Sequence, residues 1–438
     1  MTAREAAFLS LQRLWRDGKY SNLELSASIE KYKLTGVEKS LYTALLYGVI
    51  ERKLTLDHLL GKYSSRPTEE IDKDVKTAIY LGLYQLYFTD KIPPSAAVNE
   101  SVALLRRFWA KKNSEGFANA ILRAAAKDAK NIDYPDKTKD PEKYLSVKYS
   151  VPAWLCREFI AEFSFDEAEA ALEYSLSHPK ATLAVNTLRI TRDELMQKLI
   201  AEGIPCEKTK YSEKGIVLLE NTPYEKLSAY DDLFFVQDEA SQICCEALGA
   251  EAGESILDAC ACPGGKSFFS AIRMENRGQV LSCDLHESKL SLVSSGAERL
   301  GISIIGTRTQ NSSLPFGEGE EFDRVLCDVP CSGFGVIAKK PELRYKTQED
   351  IAPLPPLQYK ILSSCARHVK TGGTLVYSTC TVLSAENSRV TEKFLEEHAD
   401  FSLEPFSVGE IKSDGSLTLL PGKYGTDGFF TAKFRRNK

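Results

Sequence analysis

Beyond Leu233 the sequence alternates short apolar runs with helix-length stretches, and this restricts the C-terminal half to a doubly wound parallel sheet. Strands are predicted at Ser255–Asp258, Gln279–Cys283, Ile302–Ile305, Phe322–Cys327 and Thr374–Ser378. Helices are predicted at 266–275, 287–300, 354–369 and 385–398, and Phe429–Phe434 reads as a late strand. Such sheets bind ligands beyond the carboxyl ends of their strands, so residues at those ends are the first candidates for chemistry.

Two of these ends carry thiols. The run Val325-Leu326-Cys327 breaks into Asp328-Val329-Pro330-Cys331-Ser332-Gly333. Proline cannot continue a hydrogen-bonded ladder and holds the preceding residue extended, so an acid and a thiol are presented together on a loop. The run Thr374-Leu375-Val376-Tyr377-Ser378 likewise ends in Thr379-Cys380. A buried, inert thiol is the ordinary fate of a cysteine; two of them at strand ends, one beside an acid, are nevertheless the first candidates for chemistry.

The first strand of the sheet runs into Ala259-Cys260-Ala261-Cys262-Pro263-Gly264-Gly265-Lys266. Paired glycines at a strand-to-helix turn let a ligand approach the backbone closely. The pattern G-x-G-x-x-G is absent, which speaks against a nicotinamide cofactor held by its pyrophosphate. The second strand leads to Asp284, at the place where an acid accepts hydrogen bonds from ribose hydroxyls. A glycine turn and a strand-end acid without a phosphate grip suggest a nucleoside cofactor lacking phosphates, S-adenosylmethionine. Singly each signal is weak: Asp284 would also serve as a helix cap, and Lys266 as an ordinary first-turn residue.

With 438 residues, 43% hydrophobic and 27% charged, the chain has room for two or three globular domains. Its eleven cysteines are odd in number and scattered, which favours reduced thiols in a cytoplasmic protein over a disulfide scaffold. No C-x-x-C pair supports a metal site. No signal sequence is visible and no apolar run approaches about 18 residues, so neither secretion nor a membrane is expected. The net charge of −5 announces no nucleic acid, although basic residues can still cluster locally.

Residues 1–135 read as all helix. Tyr80, Tyr84 and Tyr87 fit a bundle core better than an RNA-stacking stripe, and Ser95 is placed to cap the helix after Pro93-Pro94. The stretch Arg106-Arg107-Phe108-Trp109-Ala110-Lys111-Lys112, with Arg123, Lys127 and Lys130, is either a solvated face or a phosphate-binding patch. Residues 136–234 are expected to hold the end of a polar linker running from Lys130 to Tyr144, then a small α+β module of ferredoxin-like type with a helix capped at Thr191. Residues 235–438 form the α/β domain.

The strings Leu257 to Lys266, Asp328 to Gly333 and Ser378-Thr379-Cys380-Thr381, in this order, resemble the RNA cytosine-5 methyltransferases. Val236-Gln237-Asp238-Glu239-Ala240-Ser241 and Gly425-Thr426-Asp427-Gly428-Phe429-Phe430 match as well, and Ala97-Val98-Asn99-Glu100 with Gly116 to Arg123 resembles the NusB-like RNA-binding domain. The resemblance implies a Rossmann-like methyltransferase that acts, as a monomer, on a single-stranded or flipped-out cytosine of 16S ribosomal RNA. A transfer-RNA substrate would require the same chemistry, and a catalytically inactive RNA-binding assembly factor is the rival of a different class. It assigns S-adenosylmethionine to Cys260, Ala261, Cys262, Pro263, Gly264, Gly265, Lys266, Asp284 and Asp328. It expects an acid after the third strand, where this chain has Asn311, and an alanine where it has Cys262. It makes Cys380 the nucleophile and gives Cys331 the breakdown of the adduct. Asp328 is the candidate for N3 of the base, and Lys266 for a place beside it. Lys339, Lys340, Arg344 and Lys346, just after the Pro-Cys loop, are candidates for holding phosphates.

Overall fold

Tyr80 explains much of the N-terminal half. It lies on the helix Lys73–Phe88, is 1% exposed, and donates its hydroxyl to Asp57. Tyr87 is buried too, and Tyr84 packs so closely on the helix Gly36–Glu51 that a Cβ on Gly48 would fall 2.0 Å from its ring. The tyrosine row therefore belongs to the core.

The computed structural model describes residues 1–17, 21–109 and 114–437. They divide into two compact units, Met1–Ser177 with Ile337–Lys346, and His178–Val336 with Thr347–Lys438. The first unit is helical throughout its regular structure. Helix Pro94–Phe108 starts two residues earlier than a Ser95 cap would allow, because Pro94 occupies the first turn with its φ already helical. Arg106 pairs with Glu115 and Arg107 with Glu5; Ala110, Lys111 and Lys112 of the same basic stretch lie outside the described residues. The linker expected to run to Tyr144 is shorter. Asp140 accepts from the Lys143 N–H and Pro141 opens the helix Pro141–Tyr149, so the polar composition conceals a capped start.

Arg344 also belongs to this unit and is not a phosphate ligand. It is fully buried, and its guanidinium donates to the carbonyls of Pro341, Glu51, Tyr149 and Ser175 at 2.9–3.1 Å. Burial lowers its pKa. Lys339 and Lys340 are exposed.

The second unit contains two sheets that position the site. The smaller has strands β1 (Thr182–Val185), β2 (Cys206–Lys208), β3 (Gly215–Leu218) and β4 (Phe234–Val236), antiparallel in the order β2-β3-β1-β4. Its helix Arg192–Ala201 begins with the expected cap, a reciprocal Thr191–Glu194 box.

The larger sheet holds β5 (Ser255–Asp258), β6 (Gln279–Asp284), β7 (Ile305–Thr309), β8 (Phe322–Asp328) and β9 (Val369–Thr379) as its parallel part, in the order β9-β8-β5-β6-β7. It is mixed, not wholly parallel. Strand β10 (Phe401–Leu403), the hairpin β11 (Phe406–Val408) and β12 (Ile411–Ser413), and β13 (Ser416–Leu419) precede the last strand, β14 (Phe429–Arg436). That strand runs antiparallel to β9, and β10 and β13 pair with it in turn.

The third parallel strand lies later than the predicted Ile302–Ile305. Gly301 ends the preceding helix at φ +71°, and the buried Ile302 returns its N–H to the Ala297 carbonyl at 2.8 Å. The apolar signal there belongs to a helix C-cap. The true strand, β7, is an edge strand with a largely polar sequence, so no periodicity marks it.

Candidate active site

Strands β8 and β9 are parallel neighbours with Asp328 opposite Ser378. The two loops that leave them therefore start side by side, and the sulfurs of Cys331 and Cys380 meet at 3.2 Å. The loops are tied to each other by the Val329 N–H on the Ser378 carbonyl (3.1 Å) and the Gly335 N–H on the Cys380 carbonyl (3.0 Å). Gly335 in turn receives the Gly428 N–H, an approach so close that a Cβ on Gly335 would sit 1.9 Å from the Gly428 carbonyl oxygen. Both thiols are half-buried. Contact with Cys380, then burial, hold the Cys331 thiol well above the usual thiol range.

Asp328 lies at the end of the same strand, three residues before Cys331. Its Oδ2 accepts from the Lys266 ammonium at 2.6 Å and its Oδ1 from the Ser378 hydroxyl at 2.8 Å. Lys266 is packed over the Phe429 ring, 5.2 Å from its centre. Burial works most strongly against its charge, but the Asp328 carboxylate, together with Cys244 and Cys245, holds the ammonium above its ordinary range. Asp258 ends the neighbouring β5. Burial, countered in part by the Ser267 hydroxyl at 2.7 Å, pushes its carboxyl up to about 6. Its Oδ1 is buried without a hydrogen-bond partner among the described residues.

A cleft of about 190 Å³ opens over these strand ends, lined by Val236, Gln237, Asp238, Ser241, Asp258, Cys260, Ala261, Cys262, Pro263, Gly265, Lys266 and Asp328. Gly264 turns the backbone at φ +114°, and any Cβ there would strike the Phe268 ring at 2.4 Å. The turn leads into the helix Gly265–Arg273, whose first two residues line the cleft. An unpartnered carboxylate oxygen on Asp258, the Lys266–Asp328 pair and a glycine-lined wall fit a cofactor with a cationic amino-acid end better than one with phosphates.

Family models match three stretches: "16S rRNA methyltransferase RsmB/F" over residues 245–435, "NusB family" over 1–127, and the ferredoxin-like domain of RsmF/B-like methyltransferases over 151–225. The chain is 38% identical over 445 residues to "Probable ribosomal RNA small subunit methyltransferase B" of Bacillus subtilis, covering 99% of each chain. The chain belongs to the RsmB/F family of 16S rRNA methyltransferases. A further relative, ribosomal RNA small subunit methyltransferase B of Pseudomonas syringae pv. tomato, is 31% identical with 99% of this chain and 96% of that one covered. The crystal structure of PH0851 shares the fold over 99% of both chains, with a TM-score of 0.81 at 24% identity. The N-terminal helices are thus a NusB domain, followed by a ferredoxin-like domain and a Rossmann-like methyltransferase domain.

Of the residues singled out for this RsmB/F chain, Cys260, Ala261, Cys262, Pro263, Gly265, Lys266 and Asp328 line one cleft. Gly264 makes the turn before the helix Gly265–Arg273, and Cys331 and Cys380 sit on the loops that follow β8 and β9. Asp284 ends β6; burial, then the Asp284 charge, push the Cys262 thiol up to about 12. Asn311 stands apart, on an exposed turn where its Oδ1 accepts from the Ser313 N–H and hydroxyl. Sequence reasoning passed over Asp258, although it is a strand-end acid like Asp284 and Asp328. It also passed over Gln237 and Asp238, which reach the cleft from just beyond β4.

Proposed function

We propose that this chain methylates C5 of a cytosine in 16S ribosomal RNA, using S-adenosylmethionine and a transient bond between Cys380 and C6 of the base. One observation carries the reading: two thiols 3.2 Å apart on adjacent loops, one of them three residues after the Asp328 whose pair with Lys266 lines the cleft.

C5 of cytosine is a poor nucleophile inside an aromatic ring. The Cys380 thiolate adds to C6 and opens the C5–C6 double bond, which leaves electron density at C5. Protonation at N3 stabilises this adduct. The Asp328–Lys266 pair lies at the end of the strand that leads to Cys331 and faces the cleft, so Asp328 orients the base edge and Lys266 holds the proton. When bound, S-adenosylmethionine supplies the electrophilic methyl group. The C5 proton then departs to a base, its bond electrons restore the C5–C6 double bond, and Cys380 leaves as thiolate. Cys331, in contact with Cys380, assists this last stage.

The turn from Cys260 to Lys266 would hold the cofactor, with Asp284 at the ribose and the open oxygen of Asp258 at the amino-acid end. A cytosine in a duplex cannot reach a thiol, so the substrate is a loop or a base turned out of its helix. Residues 1–135 bind RNA, 136–234 form the linker and small module, and 235–438 catalyse in the cytoplasm, where the substrate is made. The test is tritium transfer from methyl-labelled S-adenosylmethionine to 16S or transfer RNA, followed by nucleoside analysis. Label in 5-methylcytosine of 16S RNA is expected. Label confined to transfer RNA would reassign the substrate, and none in either would leave an RNA-binding factor.

A further inference from the structure

The chain that follows β9 places an acid and an amide, Glu386 and Asn387, between the two thiol loops. Glu386 is 1% exposed. Its Oε2 accepts the Ser332 N–H, next to Cys331, at 2.9 Å and the Gln358 side-chain N–H at 2.9 Å. The same Gln358 amide donates to the Pro330 carbonyl on the other side of Cys331, at 2.9 Å. Asn387 serves the second loop. Its Oδ1 accepts the Thr379 hydroxyl at 2.6 Å and its Nδ2 donates to the Thr381 carbonyl at 3.0 Å, so it brackets Cys380. A Ser332–Thr381 hydroxyl contact at 2.9 Å joins the loops directly. Glu386 Oε1 is left buried with no partner among the described residues.

A buried carboxylate with one oxygen unsatisfied is costly, and its charge acts strongly on whatever ionises nearby. The groups facing Cys331 are Cys380, Glu386, Asp328 and, across the sheet, Tyr377, whose hydroxyl donates to the Glu386 carbonyl at 2.5 Å. Two of these are carboxylates, and both oppose a second negative charge at Cys331.

We propose that Glu386 and Asn387 are positioning residues of the two-thiol site, and that Glu386 keeps the proton on Cys331 so that Cys380 is the thiol that ionises. The pair releases one proton to solvent, and the Cys331 S–H then faces the Cys380 thiolate as a donor at 3.2 Å. Chemically equivalent cysteines thereby acquire different roles from one buried acid. This rests on the two-thiol reading above.

The test is the pH dependence of Cys331 alkylation by iodoacetamide, followed by peptide mass in full-length Cys380→Ala protein. Neither RNA nor cofactor is needed, so a wild type that fails to methylate RNA would sink the functional reading and leave this measurement standing. Adding Glu386→Gln keeps the acceptor for Ser332 but removes the charge, and should lower the midpoint by about one pH unit. Glu386→Asp keeps the charge and should restore most of the parent midpoint. Gln358→Met removes a donor that partly neutralises Glu386 and should move the midpoint up, an outcome that survives even if Glu386→Gln does not fold. An unchanged midpoint in Glu386→Gln, an equal fall in Glu386→Asp, or no rise in Gln358→Met would overturn the proposal.

Discussion

Asp328 and Ser378 stand opposite each other across the parallel β8–β9 ladder, and a 2.8 Å hydrogen bond joins their side chains. This one register fixes the site. Slipping β9 by a single residue would turn Ser378 to the other face and carry Cys380 away from Cys331. The chemistry is assembled by strand pairing between segments far apart in sequence, with the loops adding only the last few residues.

Lys266 and Asp328 are expected to act as one unit. Lys266→Met should reduce initial rates of tritium transfer by roughly 10²–10⁴-fold, the usual weight of a positioned proton donor. Lys266→Arg should not rescue it, because a planar guanidinium fork does not reproduce the single ammonium contact that Lys266 makes with Asp328 at 2.6 Å while packed over the Phe429 ring. Wild-type rates in the Arg variant would show that only the charge matters.

Asp258 should trade stability for binding. Its folded pKa of about 6 lies above the ordinary aspartate value near 3.9, so the folded chain is the better proton binder between them. The ionised group therefore costs stability above pH 6, and this cost fades as the pH falls toward 4. Asp258→Asn should gain on the order of 2 kcal/mol in urea unfolding at pH 8, and little or nothing at pH 4. The same variant should bind S-adenosylmethionine about tenfold more weakly by titration calorimetry, having lost a charge-assisted hydrogen bond. Equal stability differences at both pH values would contradict the assignment.

Arg344 gives a test on the helical unit. Arg344→Met leaves the Glu51, Tyr149 and Ser175 carbonyls without their buried donor, and should cost about 3 kcal/mol or more in thermal or urea unfolding. The salt dependence of RNA affinity should keep its slope. A phosphate contact would instead lower that slope by about one, with stability nearly unchanged.

What the sequence disclosed and what it concealed follow one physical division. The strand-end placement of Asp328, Cys331 and Cys380 was legible, because each follows an apolar run that stops at a proline or polar break; Asp258, at the end of its own such run, was passed over. Elements marked by caps were legible where the cap is polar, as at Thr191. They were missed where composition masked the cap, as at Asp140–Pro141, or where an apolar residue served a C-cap, as Ile302 does after Gly301. Arg344 looked like a surface cation, because nothing local says that three distant carbonyls await it. Glu386 and Asn387 escaped for the same reason: their partners lie on two other loops, and only the fold brings them together.

The account stands or falls on which sulfur bonds to RNA. Purified Cys331→Ala and Cys380→Ala proteins, incubated with unmodified 16S RNA and S-adenosylmethionine, should be resolved on a denaturing gel. Cys331→Ala is expected to accumulate a nuclease-sensitive, slowly migrating RNA–protein band, because Cys380 adds but its release is impaired. Cys380→Ala is expected to give none. A stable band from Cys380→Ala and none from Cys331→Ala would contradict the assignment of roles, and methyl transfer that continues without either thiol would contradict covalent catalysis itself.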